Sequence, residues 1–127
     1  TAYVNHGVTL GDTSWDFDGQ EIFKRAVQGM VQASQAVMQK CGVTPDQIDL
    51  VVPHQANLRI AQFVQHTLKL RDDQVYNNIQ QYGNTTAASI PIALCEAWEK
   101  GLVKEGDLVC LAAFGSGFTW ASALVKW

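Results

Sequence analysis

Cysteine is scarce and scattered in this chain. Cys41, Cys95 and Cys110 are the only three in 127 residues, with no Cys-x-x-Cys pair and none of the density of a disulfide scaffold. A reducing, cytoplasmic setting is the expectation. No His-Glu-x-x-His and no Cys/His cluster at zinc spacing occurs, so no metal is expected. No apolar run is long enough to cross a bilayer. The opening TAYVNHGVTL has neither the basic region nor the apolar stretch of a signal peptide, and no membrane role is expected. Positive charge is in deficit: 9 Lys and Arg stand against 12 Asp and Glu, a net charge of -3 that argues against nucleic acid as a partner. The Gly-x-Ser-x-Gly elbow of a serine nucleophile is missing as well.

What is present is the composition of an ordinary globular domain, 47% hydrophobic and 17% charged, in a chain long enough for one sizeable core. Residues 1–19 are rich in Gly, Asp, Thr and Asn without a sustained period and read as a loop or linker remnant; residues 20–127 read as the domain. Helical spacing begins at Gln20. Phe23, Val27, Met30, Ser34 and Val37 form one stripe, widened by Ile22 and Ala26, and Gly42 suits the helix stop. Thr44-Pro45-Asp46-Gln47 reads as a capped single turn.

Residues 48–53 form a strong apolar strand. A helix over 57–69 turns Leu58, Ala61, Val64 (or Phe63) and Leu68 inward. QVYNNI, 74–79, reads as a weaker strand, because Asn77 and Asn78 are poor strand formers. TTAASIPIALCEAWEKG reads as a helix with Pro91 in or near its first turn and a favourable Glu96–Lys100 pair. DLVCLAAF is an apolar strand, GSG turns the chain, and FTWASALVKW returns as the last strand. The order α, β, α, β, α, β, β predicts an α/β fold: a mostly parallel sheet covered by helices, with an antiparallel last strand.

In a parallel sheet the carboxyl ends of the strands share one edge, where ligands bind. Three predicted strand ends carry unusual residues: His54-Gln55-Ala56-Asn57, Tyr82-Gly83-Asn84-Thr85 and Phe114-Gly115-Ser116-Gly117. Taken singly, each has an ordinary reading. A histidine after a strand is most often a loop or cap residue, Asn84 after Gly83 a turn or N-cap, and the Gly-Ser-Gly a hairpin turn. Taken together, a neutral imidazole, a side-chain amide and a glycine-flanked N–H on one edge can stabilise a developing oxyanion or enolate. None of the cysteines opens a helix or a strained turn where a thiolate is favoured. The chain therefore reads as an electrostatic half-site without a nucleophile.

VPHQANLRI, YGNTTAASIPIAL and LAAFGSGFTWASALVKW, in this order and at this separation, resemble the carboxyl-terminal half of 3-oxoacyl-(acyl-carrier-protein) synthase III, of the thiolase-like superfamily. FDGQEIFKRAV resembles a further segment of that family, so the resemblance runs from Phe17 to Trp127. It implies an acyltransferase that initiates fatty acid biosynthesis by condensing an acyl-coenzyme A primer, held on a cysteine, with malonyl-acyl carrier protein and releasing carbon dioxide. His54 and Asn84 match the His and Asn of a Cys-His-Asn triad and would donate hydrogen bonds to the malonyl thioester, His54 through Nε2–H. Ser116 stands where the family has glycine and matches a backbone donor to the other oxyanion hole. Phe17, Gly19, Phe23, Ala56, Asn57, Arg59 and Phe114 match positions lining the coenzyme A and pantetheine tunnel, with Phe17 in place of the usual methionine. Lys24, Arg25 and Arg59 are the candidates for docking the acidic acyl carrier protein. No cofactor is implied beyond these substrates.

The resemblance also implies an amino-terminal half that carries the catalytic cysteine, and a homodimer of the complete enzyme. A first strand is expected before the Gln20 helix, in the middle of the sheet. A chain without it is expected to leave a gap, pair its strands differently or borrow a strand. Alternatives are a non-catalytic acyl-carrier or coenzyme A-binding module, and a relative with another acceptor that makes quinolones, polyketide starters or esters. Intact His54 and Asn84 favour the condensing reaction over both.

Overall fold

The computed structural model describes residues 19–127. Along them run α1 (Gly19–Cys41), β1 (Leu50–Pro53), α2 (Leu58–Leu68), α3 (Ile79–Tyr82), α4 (Ser89–Glu99), β2 (Leu108–Gly115) and β3 (Thr119–Lys126), with short 3-10 turns at Pro45–Gln47, Asp72–Gln74 and Thr86–Ala88. The expected loop over 1–19, Phe17 included, lies outside the described residues except for Gly19, which already opens α1.

Local chemistry sets the helix ends. Glu21 in the first turn and Lys40 in the last both favour the α1 dipole. At its carboxyl end Gly42 adopts φ +67°, and the N–H groups of Gly42 and Val43 close back onto Gln39 O and Met38 O. Asn57 caps α2 by accepting the Arg59 N–H at 3.0 Å. Pro91 falls in the first turn of α4, where no intrahelical N–H is needed. The Glu96–Lys100 pair forms at 2.7 Å and is extended, Asn78 Nδ2 donating to Glu96 and Lys100 Nζ to Tyr76 Oη.

The sheet has the order β1-β2-β3, with β1 and β2 parallel and β2 and β3 antiparallel, as the hairpin turn requires. Leu50 pairs with Val109 and Pro53 with Ala112, so the carboxyl ends of β1 and β2 lie side by side. Of the three outcomes expected for a chain without the family's first strand, this is the one in which the strands pair differently: among the described residues β1 and β2 are direct neighbours.

Alternation splits β1 between two cores. Val51 joins Ala26, Met30, Ile60, Val64, Cys110 and Ala112 beneath α1 and α2, whereas Leu50 and Val52 join Ala93, Ala97, Val103 and Val109 beneath α4. Both faces of β1 are thereby buried, which is why it reads as a continuous apolar run.

Three expectations need correction. The strand over 74–79 reduces to one parallel bridge, Val75 with Val51, after which the chain turns into α3. The cause is side-chain capture: Gln55 Oε1 accepts the N–H groups of both Asn78 and Ile79, which a strand would need for its ladder. Tyr82 therefore ends a short helix rather than a strand. The α1 stripe is also rotated: Ala26, Gly29, Met30, Val31, Ser34 and Met38 are buried, while Phe23, Val27 and Val37 are half-buried. In α2, Ile60 is buried with Ala61, Val64 and Leu68, Leu58 is half-buried, and Phe63 faces outward.

Candidate active site

The paired carboxyl ends of β1 and β2 open onto a cleft of about 520 Å³. His54, Asn84, Phe114 and Ser116 all line it, with Ser89 and Trp120. The predicted grouping of His54, Asn84 and Ser116 on one edge is thus what the fold produces, although Asn84 arrives from α3 and not from a strand.

His54 follows β1 directly and its backbone N–H donates to Ala112 O at 2.7 Å, which extends the β1–β2 pairing to the histidine itself. Its ring is half-buried, with Nδ1 2.5 Å from Ser89 Oγ. Burial holds its pKa below the ordinary 6.5. Among the described residues no charged side chain lines the cleft to oppose that shift.

Asn84 follows Gly83, whose φ of +67° reverses the chain after α3. The Asn84 Oδ1 accepts the Thr86 N–H at 2.9 Å. An N–H can bond only to the amide oxygen, so the Asn84 NH₂ is left to donate elsewhere. Thr86 itself sits at φ +53°, a sparsely populated conformation for a β-branched residue. Ser116 is exposed in the turn between β2 and β3, and its carbonyl accepts Thr119 Oγ1 at 3.5 Å.

The remaining candidates gather elsewhere. The Arg59 guanidinium lies 5.6 Å from the Phe23 ring centre, and Phe23 meets Phe63 edge-to-face. Asn57 spends its Oδ1 as the α2 cap, next to exposed Ala56. Gly19 and Lys24 are exposed on α1. Arg25 pairs with Glu21 and lies over Phe118, which stacks on Phe114, so this second cluster reaches the cleft wall. No cysteine lines the cleft. Cys41 and Cys95 are exposed; Cys110 is buried, and burial pushes its thiol pKa up against the lowering hydrogen bonds of Ser122 and Ser34. Among the described residues no group of His, Cys, Asp or Glu is placed to hold a metal ion, and no helix is long and apolar enough to cross a membrane.

Two residues of the site carried no recognised signal in the sequence. Ser89 looks like any serine in a helix first turn. Gln55 looks like a loop amide, yet it is 2% exposed and makes hydrogen bonds to Pro53 O, Asn77 Oδ1 and the N–H groups of Asn78 and Ile79. It ties the end of β1, which carries His54, to the segment that leads to Asn84.

Residues 38–127 match the family described as 3-oxoacyl-(acyl-carrier-protein) synthase III, C terminal. The chain is 53% identical over 110 residues to the beta-ketoacyl-(acyl-carrier-protein) synthase III of Caldanaerobacter subterraneus subsp. tengcongensis, covering 87% of this chain and 33% of that protein. It is 48% identical over its whole 127 residues to beta-ketoacyl-(acyl-carrier-protein) synthase III 2 of Vibrio cholerae, covering 35% of that protein. The crystal structure of 3-oxoacyl-(acyl-carrier-protein) synthase III from Aquifex aeolicus superposes with a TM-score of 0.86 at 47% identity, over 87% of this chain and 36% of that one. The chain thus spans about a third of the length of the proteins it matches.

Proposed function

Because this chain belongs to the 3-oxoacyl-(acyl-carrier-protein) synthase III family, matching its C-terminal domain, we propose that it supplies the decarboxylating half of a condensing enzyme. The complete protein would join an acyl group from acyl-coenzyme A to malonyl-acyl carrier protein and so initiate fatty acid synthesis. The observation that carries this reading is the presence of His54 and Asn84 in one cleft, which no charged side chain lines among the described residues, with Asn84 Oδ1 already engaged and its NH₂ left to donate.

Those residue types suit one chemical task. The bond between the malonyl carboxylate and its α-carbon breaks, carbon dioxide leaves, and the electron pair passes to the thioester oxygen as an enolate. Two neutral donors, His54 Nε2–H and Asn84 Nδ2–H, would hold that oxygen without a proton being transferred. The α-carbon then attacks an acyl thioester, a new carbon–carbon bond forms, and a cysteine thiolate departs. The Ser116 N–H would meet the oxyanion of that second step. None of Cys41, Cys95 and Cys110 lines the cleft, so the acyl-carrying cysteine is assigned to another part of the complete enzyme, and this chain by itself is expected to be inactive. Residues 20–127 would then be the thiolase-like domain, in a homodimeric enzyme. Phe17, Gly19, Phe23, Ala56, Asn57, Arg59 and Phe114 would border the pantetheine tunnel, and Lys24, Arg25 and Arg59 would receive the acidic carrier protein.

The test is carbon dioxide release by the complete enzyme. His54→Ala and Asn84→Ala should each lower it by about 10²–10³-fold, the typical loss of an oxyanion donor. If Asn84 is only a cap, its loss should cost about 1 kcal/mol of stability with decarboxylation preserved. Normal carbon dioxide release from folded His54→Ala enzyme would sink the assignment.

A further inference from the structure

We propose that Ser89 is a positioning residue for His54: its hydroxyl donates to Nδ1 and thereby places the ring proton on Nε2. This rests on the reading above that His54 acts as a donor in the cleft.

The protons around one oxygen fix the tautomer. Ser89 Oγ is 2.5 Å from His54 Nδ1 and 3.2 Å from the Gln55 backbone nitrogen. The Gln55 N–H can only donate, so it occupies one lone pair of the hydroxyl. Ser89 is 2% exposed, and among the described residues its hydroxyl has no further hydrogen-bond partner. If Nδ1 carried the ring proton, both neighbours would donate to Ser89, and the serine proton would be buried without an acceptor. If Nε2 carries it, Ser89 donates to Nδ1, Gln55 donates to Ser89, and every group is satisfied. The doubly protonated ring has the same defect as the first arrangement and is further opposed by burial.

The geometry around Ser89 is held from both sides. Gln55 is anchored through its own side chain to Pro53 O at 2.7 Å and to the N–H groups of Asn78 at 3.0 Å and Ile79 at 3.1 Å. Ser89 lies in the first turn of α4, yet its hydroxyl bonds to no α4 backbone group and reaches across to the end of β1. A serine serving only as a helix cap would turn to its own backbone.

The experiment reads the tautomer directly. The complete enzyme is labelled with ¹⁵N-histidine and examined by long-range ¹H–¹⁵N correlation at neutral pH, with the His54 signals assigned by their loss in His54→Ala. The expected wild-type result is a protonated Nε2 and an unprotonated Nδ1. Ser89→Ala, small enough for the same site, should give a mixture of the two tautomers. It should also lower malonyl decarboxylation by about 10–100-fold, the loss seen when the partner that orients a metal-ligating histidine is removed. A wild-type ring protonated on Nδ1, or a tautomer unchanged in Ser89→Ala, overturns the proposal whatever the activity. The expected tautomer together with full decarboxylation by His54→Ala would instead uphold the role of Ser89 and refute the functional reading of His54.

Discussion

Trp120 packs directly on Gly29: a Cβ built on this glycine would lie 2.7 Å from Cδ2 of the indole. Gly29 is buried on α1 and Trp120 lines the cleft from β3, so this contact sets how closely the helix approaches the cleft wall. The clashing atoms belong to the base of the ring, which cannot yield without moving the whole side chain. Gly29→Ala should therefore destabilise the protein despite better helix propensity: overpacking costs about 1–3 kcal/mol and the propensity returns about 1 kcal/mol. Thermal melting of Gly29→Ala, Trp120→Ala and the double variant checks this. Strictly additive effects would mean that the two residues are not coupled.

Gln55→Ala should be more damaging than its place in a loop implies. It leaves the N–H groups of Asn78 and Ile79 without their acceptor, at a total cost of about 2–6 kcal/mol. Urea unfolding should show the midpoint fall with an unchanged slope. A loss below about 0.5 kcal/mol, the usual range for a surface change, would contradict the clamp.

His54 should titrate below its ordinary 6.5, because burial disfavours the charged ring. Between the lowered folded value and 6.5 the unfolded chain binds more protons at this residue than the folded one. The His54 contribution to stability is therefore complete above pH 6.5 and is lost as pH falls through the folded value. NMR titration of the ring measures the midpoint, and a value at or above 6.5 contradicts the expectation. His54→Gln should remove this part of the pH dependence.

The cysteines should separate by exposure. In the folded protein iodoacetamide should modify Cys41 and Cys95 and spare Cys110, which has no exposed surface and a raised pKa. Denaturant should make all three reactive. Mass spectrometry of peptides reads both conditions, and rapid modification of native Cys110 would show that the β2 core opens readily.

Much of the architecture is legible locally. The run from Leu50 to Pro53 is apolar without interruption because both faces of β1 are covered, and the Gly-Ser-Gly turn announces the antiparallel hairpin. The stretch around Val75 failed as a strand for a reason no local pattern carries: the acceptor for Asn78 and Ile79 is Gln55, more than twenty residues earlier. The buried face of α1 is centred a fraction of a turn away from the stripe that spacing predicts. Spacing shows that an amphipathic face exists, but packing against α2, β2 and β3 selects its centre.

The sequence by itself determined the order of the elements except around Val75, together with the His54-Gln55-Ala56-Asn57 and Gly83-Asn84 motifs. These depend on periodicity, turn chemistry and residue identity, all of which act over a few neighbours. Only the tertiary structure decided that β1 and β2 pair directly, that Gln55 Oε1 takes the N–H groups of Asn78 and Ile79, and that His54 Nδ1 meets Ser89. Each hydroxyl, amide or imidazole has several possible partners along the chain. Which one it meets is settled when the sheet and helices close, because burial then makes every unpaired polar group costly.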